Sequence, residues 1–263
     1  MRKKLGFALG AGGSRGVAHI GFLKAMEEEG LRPDLIAGSS MGSIVGACYA
    51  KGMTAEEMRK VVMQLRTGDI VDLGILPLNT LGLMKWNKVR RMITGLLDDA
   101  DFTDLKIPFS CVAVDLRSAK LHTFSSGSVV DAVLASSSAP TLFRPVEKDG
   151  KLFIDGSVLC RVPVRQVREM GAQVIVAVDV LGACKPIEKV PNIISLISRV
   201  YELMDSSITA AEHRRCRRYV DLWLEPDLGD MVQFTFKKLD FAMDAGYAMG
   251  KEYAPKIREL IGE

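Results

Sequence analysis

No stretch of the 263-residue chain approaches ~18 uninterrupted apolar positions, so the sequence predicts no membrane-spanning helix. Neither sign of charge is in surplus. The 35 basic and 32 acidic residues leave a formal net charge of +3, which is too balanced for a nucleic-acid binder and leaves room for mild attraction to an anionic lipid surface. Five cysteines, Cys48, Cys111, Cys160, Cys184 and Cys216, are scattered without C-x-x-C spacing. An odd, dispersed set argues against a disulfide framework and points to a reducing, cytoplasmic compartment. There is no internal repeat, low-complexity tract or linker. The basic start Met1-Arg2-Lys3-Lys4 looks like that of a signal peptide, but the apolar run behind it soon meets Gly10 to Gly16 and then a charged helix. That run reads as a buried first strand.

What is present is an α/β pattern. With 48% hydrophobic residues, the chain is long enough for one large α/β domain with a substantial core. We expect a single domain over residues 1–263, with a motif-bearing core at about 5–180 and a helical extension carrying a short strand at about 181–263. Leu5 to Leu9 is a near-continuous apolar run, as a strand covered on both faces requires. It feeds Gly10-Ala11-Gly12-Gly13-Ser14-Arg15-Gly16 and then a helix that Gly30 can stop. Backbone N–H groups of such a loop converge on negative charge, either a cofactor phosphate or the oxyanion of acyl transfer. The phosphate reading lacks its partners: Asp34 precedes the second strand instead of ending it, and Arg15-Gly16-Val17 is not Gly-Lys-Ser/Thr.

The second strand, from Leu35, runs into Gly38-Ser39-Ser40-Met41-Gly42, which fits G-x-S-x-G. In that pattern a serine is held on a strained strand-to-helix bend with its hydroxyl exposed, so Ser40 is the candidate nucleophile. Both loops thus fall at the carboxyl ends of successive strands of an expected parallel sheet, where open α/β sheets place their sites.

Further along, Thr54 and Glu57 form a capping box for a core helix. Thr67 to Trp86 is apolar without clear periodicity and reads as a buried irregular connection. A mobile cover over an apolar substrate and a patch touching a membrane surface are the alternatives. The neighbouring Lys85, Lys88, Arg90 and Arg91 favour the patch, and equally suit a solvated helix face. Strands are expected at Pro108–Leu116 and Lys120–Ser125, with Asp115 structural, and a helix at Val129–Ser138. A hairpin turns at Asp149-Gly150. Pro163 opens a helix that Gly171 ends, and Val174–Val180 is another buried strand. A long helix or helical hairpin spans about Ile193–Arg218, a short strand Tyr219–Leu224, and the tail from Phe241 is helical, interrupted near Pro255.

A serine needs a base. The three histidines do not readily assemble a triad: His19 sits in the first turns of a helix, His122 inside a strand and His213 in an arginine cluster. A carboxylate acting directly is the remaining route. Asp155, at the end of Leu152-Phe153-Ile154 and before Gly156-Ser157, is the candidate; desolvation there would raise its pKa and make it a better base.

Taken together these blocks resemble the patatin-like phospholipase family, close to its short bacterial members. The resemblance rests on Gly12-Gly13-Ser14-Arg15-Gly16 running into His19 and Gly21, on Gly38 to Gly42, on Ala135 to Pro145 and on Asp155-Gly156, and extends to Gly246-Tyr247. It implies a three-layer α/β/α sandwich with a mainly parallel central sheet, and a Ser40–Asp155 dyad. The backbone N–H groups of Gly12, Gly13 and Ser14 would form the oxyanion hole, with Arg15, Gly16, Gly38, Gly42 and Gly156 supporting the motifs. It further implies hydrolysis of lipid acyl esters with no metal or cofactor. Ala11 and Ser157 depart from the family's commoner glycine and alanine-or-glycine; both are small, so adjusted geometry with retained activity is expected. The competing readings are a nucleotide-binding oxidoreductase, and a lipid-sensing or partner-binding protein that keeps the fold without turnover.

Overall fold

The structure is a computed structural model that describes residues 1–70, 84–140, 142–233 and 237–263. In chain order its elements are β1 (Leu5–Leu9), α1 (Ala18–Glu28), β2 (Leu35–Ser39), α2 (Met41–Lys51), α3 (Ala55–Gln64), α4 (Thr67–Ile70) and α5 (Asn87–Leu97). There follow β3 (Phe109–Asp115), β4 (Lys120–Phe124), α6 (Val129–Ser136), β5 (Val146–Lys148), β6 (Lys151–Asp155) and α7 (Val164–Glu169). The chain closes with β7 (Val174–Val178), α8 (Ile193–Cys216), β8 (Leu222–Leu224) and α9 (Leu239–Ile261). Most of the Thr67–Trp86 stretch, for which three readings were open, falls on residues 71–83 and lies outside the described residues.

All strands join one sheet of order β5-β6-β3-β2-β1-β7-β8, with β4 also paired to β3. The β2-β1-β7-β8 portion and the β2–β3 pair are parallel; the β3–β4, β3–β6 and β5–β6 pairs are antiparallel. Strand alternation divides the core into two layers. Phe7, Leu9, Ile36, Val176 and Val178 pack on one face with α1, α2, α3, α5, α6 and α9. On the other, Ala8, Ala37, Ile175 and Ala177 pack with α7 and with Cys216 of α8. The result is the expected three-layer arrangement. Small residues on the second face let α7 approach closely.

The pairing of β3 positions everything that follows. Its ladder with β4 occupies one edge over Cys111–Asp115. The other edge is therefore shared, by β2 against Phe109 to Val112 and then by β6 against Ala113 to Asp115. Because β2 runs parallel to β3 and β6 antiparallel, their carboxyl ends meet head to head: Ser39 lies opposite Val112, and Asp155 opposite the next residue, Ala113. Residues distant in the chain are thereby brought to one spot by hydrogen-bond register.

The tail departs from expectation. Instead of breaking at Pro255, α9 runs unbroken from Leu239 to Ile261 with that proline inside it. Proline there forfeits one helical hydrogen bond and crowds the preceding turn. The loss is offset because Ala242, Met243, Met249, Ala254, Ile257 and Ile261 are all buried, many of them against α1. The two helices cross in near backbone contact. A Cβ at Gly246 would sit 1.9 Å from the Ala18 carbonyl oxygen, and one at Gly21 only 1.8 Å from that of Met243. Alanine raises helix propensity over glycine by about 1 kcal/mol, but overpacking against an immobile backbone costs about 3 kcal/mol or more. Gly246→Ala is thus expected to lower unfolding stability by about 2 kcal/mol, read from urea denaturation. An unchanged midpoint would contradict the close crossing.

Candidate active site

Ser40 joins β2 to α2 with φ 52 and ψ −123, a positive φ that a side chain resists. The strain is held by packing and hydrogen bonds around it. A Cβ at Gly42 would lie 2.2 Å from the Leu9 carbonyl oxygen and 2.6 Å from that of Gly10, so the first turn of α2 rests directly on the start of the Gly-rich loop. Gly38 faces the Ser43 backbone in the same bend, and Gly16 faces the Met41 side chain. Three serines then fix Ser40: its N–H donates to Ser136 Oγ at 3.1 Å, and its carbonyl accepts from Ser43 Oγ at 2.6 Å and Ser137 Oγ at 3.3 Å. Ser136 and Ser137 end α6 and belong to the Ala135–Pro145 block. No motif in that block announces the part these serines play.

Asp155, the last residue of β6, is buried. Its Oδ2 accepts from Ser40 Oγ at 2.6 Å, and its Oδ1 accepts from the Ser157 N–H at 2.9 Å. The chain can turn away at once because Gly156 packs its Cα against the Val112 carbonyl, where a Cβ would come within 2.3 Å. Burial raises the Asp155 carboxyl to about 6, against the pull of hydrogen bonds from Ser40 and Ser157. A carboxylate so placed is ionised at neutral pH and basic enough to take a proton.

A second chain of contacts reaches Asp155 from the far side. Ser157 Oγ lies 2.8 Å from the Tyr201 hydroxyl on α8. Burial and the nearby Asp155 charge push the Tyr201 phenol up, so it stays neutral. α8 is itself anchored by Arg161, which is buried and donates to Asp205 at 2.9 Å, to Asp179 at 2.7 Å and to the Gly182 carbonyl at 3.0 Å. Sequence reasoning missed Tyr201 and this triad. Since the Ser157 hydroxyl lowers the Asp155 pKa, Ser157→Ala is expected to raise it further and move the acid limb of kcat/KM to higher pH. Tyr201→Phe should move it the same way by less. Profiles superimposable on wild type would show that the pair only packs.

In the Gly-rich loop Gly12 has φ −178 and Gly13 φ 53, and a 3-10 turn over Gly13–Val17 leads into α1. The Ser14 N–H, expected among the oxyanion donors, already donates to the Gln233 carbonyl at 2.7 Å, and the Ser14 hydroxyl donates there at 2.8 Å. Among the described residues the N–H groups of Gly12 and Gly13 are claimed by no carbonyl. Arg15 is partly buried, with its guanidinium lowered by that burial and its Nε unpartnered among the described residues.

None of the histidines serves Ser40. His19 is fully buried, held neutral with its pKa near 4, and its Nε2 lies 2.8 Å from the Gly10 carbonyl. It braces the Gly-rich loop. His122 packs between Phe124 and Phe153, and His213 stacks on Trp223. Asp115 accepts from Ser118, Arg117 and Leu152, the structural task expected of it. Among the described residues no cluster of ligating side chains suits a metal ion.

Comparison with known proteins bears on the family and the fold. Lysophospholipase nte1 of Aspergillus fumigatus is 28% identical over 97% of this chain, which covers 18% of that protein. Patatin-like phospholipase domain-containing protein 6 of mouse is 27% identical over 94% of the chain and 20% of its own length. An uncharacterised NTE family protein of Mycobacterium bovis is 32% identical over 68% of the chain and 50% of its own length. The chain therefore spans half or less of the curated relatives it matches. In fold it is similar to VipD from Legionella pneumophila, with a TM-score of 0.68 at 14% identity, covering 97% of this chain and 67% of that one. The type III effector protein ExoU follows with a TM-score of 0.53 at 13% identity, covering 97% and 53%. The patatin-like phospholipase family matches residues 7–168, a span that holds the Gly-rich loop, the Ser40 bend and Asp155. By that match, the chain belongs to the patatin-like phospholipase family.

Proposed function

We propose that this chain is a serine hydrolase that cleaves acyl esters of lipids, phospholipids or lysophospholipids, through an acyl-enzyme built by Ser40 and Asp155. The observation that carries the reading is the 2.6 Å hydrogen bond from Ser40 Oγ to a buried carboxylate whose pKa lies near 6. Asp155 takes the Ser40 proton as the oxygen attacks the ester carbonyl. The tetrahedral oxyanion is met by the N–H groups of Gly12 and Gly13, each well-aimed donor contributing about 3 kcal/mol. Collapse expels the alcohol, which leaves with the proton from Asp155. Water then attacks the acyl-enzyme, Asp155 acting as base once more, and Ser40 recovers its proton as the fatty acid departs. No cofactor enters the scheme.

The relatives' printed names, lysophospholipase and patatin-like phospholipase, support a lipid ester as substrate. No helix among the described residues is long and apolar enough to cross a membrane. The proposed contact with lipid is peripheral, at the inner membrane surface of a cytoplasmic chain. Incubating the protein with lysophosphatidylcholine and quantifying free fatty acid tests the reading. Release by wild type is expected; none from lysophospholipid, diacyl phospholipid or a chromogenic fatty ester would overturn it.

A further inference from the structure

The long helix α8 is amphipathic the wrong way round. Its buried side chains among the described residues are Asp205, Thr209 and Cys216. Its solvent side carries Ile193, Leu196, Ile197, Val200, Leu203 and Met204, exposed by 47 to 66% and spaced three or four residues apart, with Ile208 a turn further on. Such spacing makes one continuous apolar stripe along the helix. A free helix face of this kind normally faces a partner or a membrane surface.

Charge decides between those occupants. Arg215 follows Ile208 at heptad spacing and Arg214 is beside it, so the stripe ends in cations on its own face; Lys185 and Lys189, with Glu188 between them, precede its other end and leave it net positive. The three carboxylates of α8 lie off the stripe and each is paired: Glu202 with Arg199 at 3.0 Å, Asp205 with Arg161 at 2.9 Å, and Glu212 with Arg165 at 3.7 Å and with Arg215 at 3.5 Å, which leaves Arg214 and the shared Arg215 as the cationic end. A second copy docked antiparallel would bring Arg214 and Arg215 over Lys185 and Lys189, and a parallel one would bring them over themselves. Both arrangements set like charges together. An anionic lipid surface meets the apolar stripe with acyl chains and both cationic ends with phosphate.

The position of α8 fits that occupant. Tyr201 on the neighbouring side of the helix bonds Ser157, next to Asp155, and Leu159, just past that turn, is itself exposed. We propose that the outer face of α8, from Ile193 to Ile208 with Arg214 and Arg215, is a docking surface for an anionic phospholipid bilayer that brings lipid to the mouth of the Ser40 site. Docking here presupposes the lipid-ester chemistry proposed above, yet vesicle binding is measurable whether or not hydrolysis occurs.

The test is co-sedimentation with phosphatidylcholine vesicles containing or lacking phosphatidylglycerol. Wild type is expected to bind the anionic vesicles, and more weakly as salt is added. Leu196→Gln/Val200→Gln/Leu203→Gln, which removes apolar contact without changing charge, should lower partitioning by about tenfold or more. It should leave hydrolysis of a soluble short-chain ester and the circular dichroism melt unchanged. Arg214→Gln/Arg215→Gln should abolish the preference for anionic vesicles. Ser40→Ala should bind as wild type does, which separates loss of docking from failure of the hydrolase reading. Equal binding by the triple-glutamine variant would overturn the proposal, as would no binding by wild type. So would a wild-type dimer that the same variant turns into a monomer by light scattering.

Discussion

Ser40→Ala is expected to lower kcat/KM for a fatty acyl ester by about four orders of magnitude or more while leaving the thermal melt close to that of wild type. The size follows from what is lost. With the hydroxyl gone no acyl-enzyme can form, and Asp155 is left to activate water from a position suited to a different proton. The oxyanion loop still polarises the carbonyl, so residual turnover above the uncatalysed rate is consistent with the account. Folding should hold because the bend is fixed by main-chain contacts, the Ser40 N–H and carbonyl to Ser136, Ser137 and Ser43, none of which uses the Ser40 side chain. Steady-state kinetics on a chromogenic fatty ester checks this. A loss of less than tenfold would mean that another group attacks.

Asp155→Asn should pull activity and stability in opposite directions. The asparagine fills the same space without charge, so the base is gone, and kcat/KM is expected to fall by about three orders of magnitude. Stability at neutral pH should rise. A buried carboxyl whose folded pKa lies near 6, above its unfolded value, favours the fold fully below the unfolded value and loses that contribution as pH climbs through 6. At pH 7 its ionised form therefore burdens the fold by about 3 kcal/mol, and the neutral isostere relieves most of that. Urea unfolding at pH 7 and again near pH 4 separates the effects: the variant's advantage should be present at pH 7 and shrink in acid. A variant less stable than wild type at pH 7 would show that the Ser40 and Ser157 hydrogen bonds outweigh the cost of burying the charge. Such stored cost at a catalytic group is a common trade of stability against activity.

Local rules made much of this molecule readable before any coordinates. The buried β1, the Thr54 capping box and the hairpin at Asp149-Gly150 each follow from short-range chemistry, and each is found. The Ser40 bend was equally legible, since Gly38 and Gly42 mark where backbone segments must touch. Hidden from such reading was how Ser40 and Asp155 come together. That depends on β2 and β6 sharing one edge of β3 from opposite directions, a matter of register between segments far apart in the chain. Tyr201 and the Arg161–Asp179–Asp205 cluster were missed for the same reason, being side-chain contacts between distant segments with no motif to announce them. For α8 the periodicity was visible, but periodicity alone does not say which face is inward. Proline chemistry misjudged α9, where the packing of Gly21 and Gly246 outweighs the local cost at Pro255.

The most direct test is the pH dependence of Ser40 labelling by a fluorophosphonate probe, a reaction that needs an activated hydroxyl and no lipid. The account predicts that the labelling rate of wild type rises with pH along a single limb centred near 6, set by ionisation of Asp155, and that Asp155→Asn labels far more slowly with that limb absent. Labelling at the wild-type rate and pH profile in Asp155→Asn would contradict it, because something other than that buried carboxylate would then be activating Ser40.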